Sequence, residues 1–338
     1  MRDAAARPEE PTPSGARRAP RPRLGALRAP ALSRELAVLL LILATCLLAS
    51  LLSPYFLSVA NLRNVLIASS TELVVAAGMT VVLVSGGIDL SVGSTIGVAA
   101  ITAALLFDAG WDTPAAIAAA AGVGVAVGLL NGALIAYANL NPLITTLGTM
   151  TIGRSVVFIL SGGYALSAIP PGLKHAFNAE AALGMPNLVW AALAVSLVLD
   201  QFMRRNVWLR RFYFLGGSEV AAIRAGIATR RLKLAAYVIS GLLASFAAVM
   251  TIARMGSAFP NTGTGIELRV ITAVVVGGCS IYGGRGTVLG AALGVLFLNL
   301  VSNVLVILSL SVYWQGVAAG CVLILAVLTD MAGQRGRR

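Results

Sequence analysis

The sequence predicts an all-α protein, a polytopic transmembrane helical bundle, from its composition and from the length of its apolar runs. Hydrophobic residues make up 58% of the 338 residues and charged residues 11%, whereas soluble chains carry roughly 25% charged residues. The mean hydropathy is +0.89. The apolar runs approach the ~20 residues that a helix needs to cross a hydrocarbon core. Lipid admits only helices and closed barrels, and runs of this length indicate helices.

About ten such runs follow one another along the chain, and we predict that each is a membrane span. The predicted spans are residues 36–52, 62–84, 91–107, 114–138, 143–161, 188–202, 234–255, 267–277, 287–308 and 313–329. The eighth run is short enough to be a half-helix.

The basic residues predict the orientation, because Lys and Arg are retained on the cytoplasmic side of a membrane. With the N-terminus inside, most of the 25 Lys and Arg residues fall in cytoplasmic segments, chiefly in the N-terminal tail and in residues 203–233. Both termini are therefore predicted to be cytoplasmic.

The apolar runs and the basic segments together divide the chain into three parts. Residues 1–34 are rich in Arg and Pro and are predicted to be a disordered cytoplasmic tail, because they cannot bury enough apolar surface to fold. Residues 35–331 are the predicted transmembrane domain, with 203–233 as its main cytoplasmic loop, and residues 332–338 are a second cytoplasmic tail. The longest external connection, 162–187, is either a contact for an external partner or a connector that covers the bundle.

The composition argues against an enzyme and against nucleic-acid binding. The single histidine, His175, lies in a polar loop, and Cys46, Cys279 and Cys321 lie in or beside apolar segments without a CxxC spacing. The sequence therefore predicts no catalytic residues, no metal site and no cofactor in this chain. The net charge of +12 is spread between apolar runs and not gathered on one soluble face, which excludes a nucleic-acid partner.

Two segments share one pattern of an apolar run, a Gly-Gly pair, a polar turn and a Gly-rich helix. They are residues 81–97 and 274–290. In the predicted topology both turns face the cytoplasm, which suggests a parallel internal repeat of the kind that many transporters contain.

The first of these turns holds an acidic residue between two apolar spans. Paired glycines, Gly86 and Gly87, interrupt a helix, and Asp89 and Ser91 follow. Burying Asp89 without compensation costs several kcal/mol. Three roles are open: a cap on the free amides of the next helix, a part in conformational coupling, and direct contact with a solute.

A short surface helix is predicted within the basic loop, at residues 216–227. Ser218 can cap it, Glu219 suits the positive end of its dipole, and Gly226 can end it. Its small residues would allow a partner to approach closely; they are Ala221, Ala222 and Ala225. A solvated helix on the membrane surface is the alternative.

The pattern Glu219-x-Ala221-Ala222-x-x-x-Gly226 resembles the EAA loop of ABC importer permeases. Further segments resemble the ribose-type branch of that superfamily, which carries monosaccharides or branched-chain amino acids, and they occur in the order typical of the family. These segments are 86–94, 141–149, 263–268 and 275–286, and the resemblance covers about residues 36–331. Arg269 departs from the pattern, since similar proteins usually place a small or acidic residue there.

The resemblance implies a permease subunit in the bacterial cell (inner) membrane, not an enzyme. It implies a second permease copy, identical or related, two cytoplasmic ABC ATPase subunits, and an external solute-binding protein. The chain lacks the Gly-x-x-x-x-Gly-Lys-Ser/Thr phosphate loop, so ATP hydrolysis is expected on a separate chain. The residues that the resemblance assigns to ATPase coupling are Gly216, Gly217, Glu219, Ala221, Ala222, Arg224 and Gly226.

The expected solute is a monosaccharide or a similar small polar molecule, and branched-chain amino acids and nucleosides are alternatives. An ion-coupled secondary carrier is a rival within transport, and an integral-membrane enzyme is a rival from another class. Candidate residues of the translocation path or its gate are Gly86, Gly87, Asp89, Ser91, Asn141, Thr145, Thr146, Glu267, Asn299 and Asn303, with Asn131 as a further polar group.

The polar candidates within spans could instead form hydrogen bonds between helices. Glu267 and Arg269 either pair with other helices or mark the external membrane interface, and the interface is the favoured expectation. The glycine series Gly124-x-x-x-Gly128-x-x-x-Gly132 is expected to allow close helix packing, inside one subunit or between two copies.

Overall fold

A computed structural model describes residues 34–311 and 313–335, and this part of the chain contains helices and no strand, as the sequence predicts. The helices are α1 (Arg34–Leu52), α2 (Val59–Val84), α3 (Val92–Asp108), α4 (Thr113–Ala136), α5 (Pro142–Ser161), α6 (Pro171–Asn178), α7 (Asn187–Arg205), α8 (Val207–Gly217), α9 (Glu219–Arg224), α10 (Thr229–Met255), α11 (Ile266–Val276), α12 (Val288–Ile307) and α13 (Tyr313–Arg335), with a single 3-10 turn at Ala182–Gly184. Of the predicted tails, 1–34 and 332–338, residues 1–33 and 336–338 lie outside the described residues, whereas residue 34 begins α1 and residues 332–335 continue α13.

Each of the ten predicted spans overlaps one helix, and the eighth overlaps α11, which has only 11 residues. Among the described residues, six helices are long and apolar enough to cross a membrane, namely α1, α2, α4, α5, α10 and α12. Shorter apolar helices are Val92–Asp108 and Tyr313–Leu328. The chain is thus a helical membrane protein with several spans.

Helix α10 lies at the centre of the bundle and packs against α2, α3 and α4. Its contact with α4 is the most extensive helix pair, and it is formed through the predicted glycine series. A side chain on Gly124 would collide with the Gly241 backbone, and a Cβ on Gly128 would lie 2.7 Å from Val238 Cα. The glycine series therefore packs inside one subunit.

Helix α2 is the most deeply buried of the long helices. From Leu73 to Val84 every side chain is buried. Some of the apolar ones form a core with α3 and the second half of α10, and the others pack with α8 and the first half of α10. Helices α1 and α5, in contrast, expose many large apolar side chains, such as Leu47 and Ile159. In a membrane these outer faces contact lipid or another protein.

Two helices occur where the sequence analysis placed loops. Helix α6 lies in the predicted external connection, and Asn178 at its end donates to the Ala253 carbonyl of α10 at 2.9 Å. The backbones of Leu166 and Ala258 also pair there. This connection therefore covers the end of the bundle where α10 terminates. Helix α8 precedes α9 in the basic loop.

Candidate functional site

The predicted surface helix is present as α9, and its two ends are formed as the sequence predicts. The Ser218 side chain caps the helix by accepting from the Ala221 N–H at 3.3 Å. Gly226 follows the last turn with φ +75°, a conformation that favours glycine, and Ile227 N–H donates back to the Ala222 carbonyl at 3.0 Å. This geometry reverses the chain from α9 toward α10.

The predicted small-residue surface is exposed at Ala221 and Ala225 and differs from the prediction at Ala222. Ala222 is only 3% exposed and packs against the bundle, so it supports the helix and does not belong to its outer surface. The large apolar residues that face outward beside the two exposed alanines are Val220 and Ile223, with 61% and 57% exposure. Their spacing of three residues places them on neighbouring parts of one helix face. Sequence reasoning missed both, although this spacing would have indicated them.

An ion pair joins α9 to α10. Glu219 Oε1 lies 2.7 Å from Lys233 Nζ, and Lys233 is in the second turn of α10. An ion pair of this exposure contributes about 0–1 kcal/mol to stability. Its effect is mainly to fix the direction in which α9 leaves the bundle.

The end of α8 packs into a junction of glycine-rich turns. A side chain on Gly216 would collide with the Val84 carbonyl and the Gly284 nitrogen, and a Cβ on Gly283 would lie 3.0 Å from Gly86 Cα. Gly284 N–H donates to the Val84 carbonyl at 2.9 Å. The two glycine-rich turns of the suggested repeat therefore meet each other and the coupling loop at one end of the bundle.

Tyr213 on α8 strengthens this junction, and sequence reasoning missed it. Its hydroxyl donates to the Gly286 carbonyl at 2.9 Å. Burial raises the pKa of Tyr213 to about 12. The phenol therefore stays protonated, and remains a donor, further into the alkaline range than an ordinary tyrosine.

A cavity of about 300 Å³ lies beside the junction. It brings together four of the predicted site residues, Gly86, Gly87, Gly216 and Glu219, with Tyr237 on the α10 side. The Tyr237 hydroxyl donates to the Ile88 carbonyl at 3.2 Å. The coupling helix and the Gly86 turn therefore border the same space.

Behind this turn, Asp89 is 2% exposed and fully engaged by neutral donors. Its Oδ1 accepts from the Ser91 N–H at 3.0 Å and from the Ser91 hydroxyl at 2.6 Å, and its Oδ2 accepts from Ser240 at 2.8 Å. Asn131 on α4 donates to the Ser91 hydroxyl at 2.8 Å. This cluster, named here the Asp89 cluster, joins the start of α3 to α4 and α10.

Asp89 caps the start of α3 only in part. Asp89 accepts the amide of Ser91, directly before α3 begins at Val92, whereas the Ser91 side chain caps no helix amide. Asp89 does not line the cavity beside the junction. The arrangement favours a structural link between helices over contact with a solute.

The next candidates form the start of α5. Asn141 caps this helix by accepting from the Leu143 N–H at 2.9 Å, and Thr145 donates back to the Asn141 carbonyl at 2.9 Å. Thr146 donates to Pro142 O at 2.8 Å and lies 3.4 Å from Ile88 O in the Gly86 turn. These polar groups therefore satisfy backbone at a helix start next to the junction.

The remaining candidates lie away from the coupling loop, and Arg269 pairs with other helices, which is the less favoured of its two expectations. Arg269 does not simply mark the membrane interface, since its Nε is 3.0 Å from Glu72 Oε1 on α2 and its Nη2 donates to Asn299 and Ser302 on α12. Asn299 in turn donates to Glu72 Oε2 at 2.7 Å, and Asn303 exchanges two hydrogen bonds with Asn61. Sequence reasoning missed Glu72, although an acid within an apolar run is a signal in itself.

Glu267 is also buried within the bundle. It is 9% exposed, and one of its oxygens accepts from the Gly265 N–H at 3.2 Å. The other oxygen lies against Gly93 of α3 and close to Arg154 of α5, which itself donates to the Thr262 carbonyl at 2.8 Å. Glu267 therefore belongs to the contact between α11, α3 and α5.

Comparison with known proteins gives a family for this architecture. Residues 61–327 match the model of a family described as branched-chain amino acid transport system / permease component. The chain is 36% identical over 303 residues to the ribose import permease protein RbsC of Escherichia coli K12, covering 88% of this chain and 92% of the relative. It is 32% identical over 298 residues to the autoinducer 2 import system permease protein LsrC of Salmonella typhimurium LT2, covering 88% and 86%.

A solved structure shows a similar fold. It is that of a metal-chelate type ABC transporter in an inward-facing conformation, with a TM-score of 0.51, 15% identity, and coverage of 87% of this chain and 98% of that chain. At this identity the likeness concerns the fold alone. The family match and the two relatives show that the chain belongs to the family of branched-chain amino acid transport system permease components, as a permease subunit of an ABC importer that does not itself hydrolyse ATP.

Proposed function

We propose that this permease carries a monosaccharide or a similar small polar solute across the bacterial inner membrane. The names of the relatives support this, since one is a ribose import permease and another an autoinducer 2 import permease. Branched-chain amino acids and nucleosides are the alternative solutes, the first because the family description names them.

We further propose ten spans with both termini in the cytoplasm, including the tail at residues 1–34, and with the transmembrane domain at 35–331. Support comes from the junction at one end of the bundle, where Gly216 of the basic loop meets the turns at Gly86 and Gly283. In the proposed topology all three lie on the cytoplasmic side. Their meeting also favours the parallel repeat, in which α2–α3 and α11–α12 correspond.

The partners that we propose are two ABC ATPase subunits, an external solute-binding protein and a second permease copy. The observation that carries the ATPase contact is the shape of α9, which is a capped helix held at its base and exposed at Val220 and Ile223. Exposed apolar residues on a basic surface loop are suited to entering a cleft of a partner protein. The assigned coupling residues Gly216, Gly217, Glu219, Ala221, Arg224 and Gly226 surround or orient this face, and Ala222 holds it to the bundle.

Movement of α9 would reach the membrane domain by a short route. Glu219 is tied to Lys233 at the start of α10, and Gly216 packs against Val84 at the end of α2. The Asp89 cluster connects the next turn to the middle of α10 through Ser240. In an alternating-access cycle, closure of the ATPases would thus shift α2 and α10 together and open or close a path between the two permease copies.

Uptake measurements test the proposal and separate it from an ion-coupled carrier. Vesicles that contain the permease, with and without its ATPase, are supplied with binding protein and labelled D-ribose. We expect uptake only when both the ATPase and ATP are present. Uptake by this chain alone without ATP would support the secondary carrier instead.

A further inference from the structure

Two adjoining cavities lie at the end of the bundle opposite the coupling loop. Their volumes are about 660 and 410 Å³, and both are lined by Glu72, Arg254, Arg269, Ser302 and Gln315. Lys233 lies near the first residue of α10 and Arg254 near the last, so these cavities and α9 are separated by most of the length of that helix. Small-molecule sites commonly have volumes of roughly 300–1,000 Å³, so the space suits a solute.

The charges on the cavity wall do not cancel. Glu72 and Arg269 neutralise each other at 3.0 Å, and Asn299 and Ser302 take up their remaining hydrogen bonds. Arg254 forms no hydrogen bond or ion pair with another described residue, although it lines both cavities. The wall therefore carries one uncompensated positive charge.

The guanidinium of Arg254 indicates which kind of group would neutralise its positive charge. A guanidinium offers five donors in a planar fork that matches a carboxylate through two parallel hydrogen bonds. A cation between membrane spans normally faces a partner or a water-filled cavity. Arg254 is exposed near the last residue of α10, where the helix dipole suits a cation, and its donors are accessible to a ligand in the cavity.

The rest of the wall suits hydroxyl groups. Thr71, Thr264, Ser302 and Gln315 can donate to or accept from a polyol. The hydroxyls of Thr251 and Thr272 donate to carbonyls of their own helices and can only accept. A phosphate monoester would bring nearly two negative charges next to Glu72, whereas a carboxylate brings one. The single free charge of Arg254 matches the carboxylate.

We propose that this cavity is a solute subsite for a small polyhydroxylated monocarboxylate, with Arg254 binding the carboxylate and the threonine-rich wall binding the hydroxyl groups. The inference rests on the proposed function as an importer of sugar-like solutes, and it narrows the solute from a neutral sugar to a sugar acid. The Glu72–Arg269 pair is the fixed part of the wall, and Arg254 determines the selectivity.

Direct binding to the permease and its ATPase in lipid nanodiscs tests this subsite without the binding protein. The probes are D-gluconate and the neutral analogues D-gluconamide and D-glucose, measured by saturation-transfer NMR and titration calorimetry. We expect the wild type to bind D-gluconate at least tenfold more tightly than either neutral probe. Equal binding of the three probes, tighter binding of a neutral probe, or no binding of D-gluconate would overturn the proposal.

Variants of Arg254 test whether this residue binds the carboxylate. Arg254→Gln is expected to weaken D-gluconate binding at least tenfold without affecting the neutral probes, and Arg254→Lys is expected to lie between it and the wild type. Arg63→Gln is the matched control, because Arg63 is paired with Glu180 outside the cavity and should leave binding unchanged. Undiminished D-gluconate binding by Arg254→Gln would refute the assignment. If that variant does not fold, the comparison of the three probes on the wild type still tests the proposal.

Uptake distinguishes failure of this inference from failure of the proposed function. If ATP-driven uptake of D-ribose occurs and D-gluconate neither enters nor competes, the sugar-acid subsite is refuted while the importer assignment stands. If no sugar or sugar acid is taken up with ATP, both the sugar-acid subsite and the proposed import of sugar-like solutes are refuted.

Discussion

The hydroxyl of Ser240, in the middle of α10, donates a hydrogen bond to the buried carboxylate of Asp89 at 2.8 Å. This bond ties the glycine-rich turn between α2 and α3 to the helix whose first turns hold Lys233 and, through it, α9. One helix thus connects the coupling loop to the acidic turn, and the stability of this connection can be tested residue by residue.

Ser240→Ala is predicted to destabilise the protein by about 1–3 kcal/mol, because it leaves one oxygen of a buried carboxyl group without its donor. Asp89→Ala should cost more, since it leaves Ser91 and Ser240 without their acceptor. Thermal unfolding of the purified permease measures both. Ser155→Ala, which removes an exposed hydroxyl of α5, is the control and should change little. Equal stability of Ser240→Ala and Ser155→Ala would contradict the role of the Asp89 cluster.

Gly128→Ala is predicted to lower stability by about 1–3 kcal/mol, because the added methyl group would overpack the contact with α10. The control lies on the same helix. Gly122→Ala meets no atom within 4 Å and should be neutral or slightly stabilising, since alanine favours helices. Comparison of their unfolding temperatures checks the α4–α10 packing, which would be wrong if the two variants behaved alike.

Glu72→Gln is predicted to destabilise the protein by about 1–3 kcal/mol, because it leaves Arg269 without its counter-charge in a partly buried place. The double variant Glu72→Gln, Arg269→Gln should recover part of this loss. Arg63→Gln breaks a more exposed pair with Glu180 and should cost only about 0–1 kcal/mol. If the double variant is no more stable than Glu72→Gln, the Glu72–Arg269 ion pair does not contribute as proposed.

Substitutions in the coupling helix should separate assembly from folding. Glu219→Lys reverses the charge that pairs with Lys233, and Gly226→Pro removes the left-handed turn after α9. We expect both variants to reach the membrane at normal levels and to lose ATP-driven uptake. Ile223→Asp should also reach the membrane and lose ATP-driven uptake, whereas Ile223→Leu should retain uptake. Full uptake with undiminished co-purification of the ATPase in the first three variants would refute the coupling role.

The sequence predicted the helices well because their signals are local. Apolar runs of span length and the Ser218 and Gly226 ends of α9 depend only on neighbouring residues, and the structure contains them where expected. The short helices α6 and α8 were missed, since both lie in polar or mixed segments whose helicity depends on packing against the bundle.

Partnerships between distant residues could not be predicted. Nothing in the sequence near Arg269 indicates Glu72, 197 positions earlier, and nothing near Asp89 indicates Ser240, because both pairs depend on which helices are neighbours. For the same reason Ala222 was assigned to the outer face of α9, since the register of a six-residue helix on the bundle is fixed by contacts with other helices.

Site-specific photo-cross-linking at position 223 tests the central claim most directly. A benzoylphenylalanine placed at Ile223 in the membrane-embedded complex is predicted to cross-link to the ATPase with a yield that changes when ATP is added. The same group at Leu183, which is exposed in the connection between α6 and α7, should give no such product. Absence of an ATPase adduct from position 223, in a complex that still imports solute with ATP, would contradict the account.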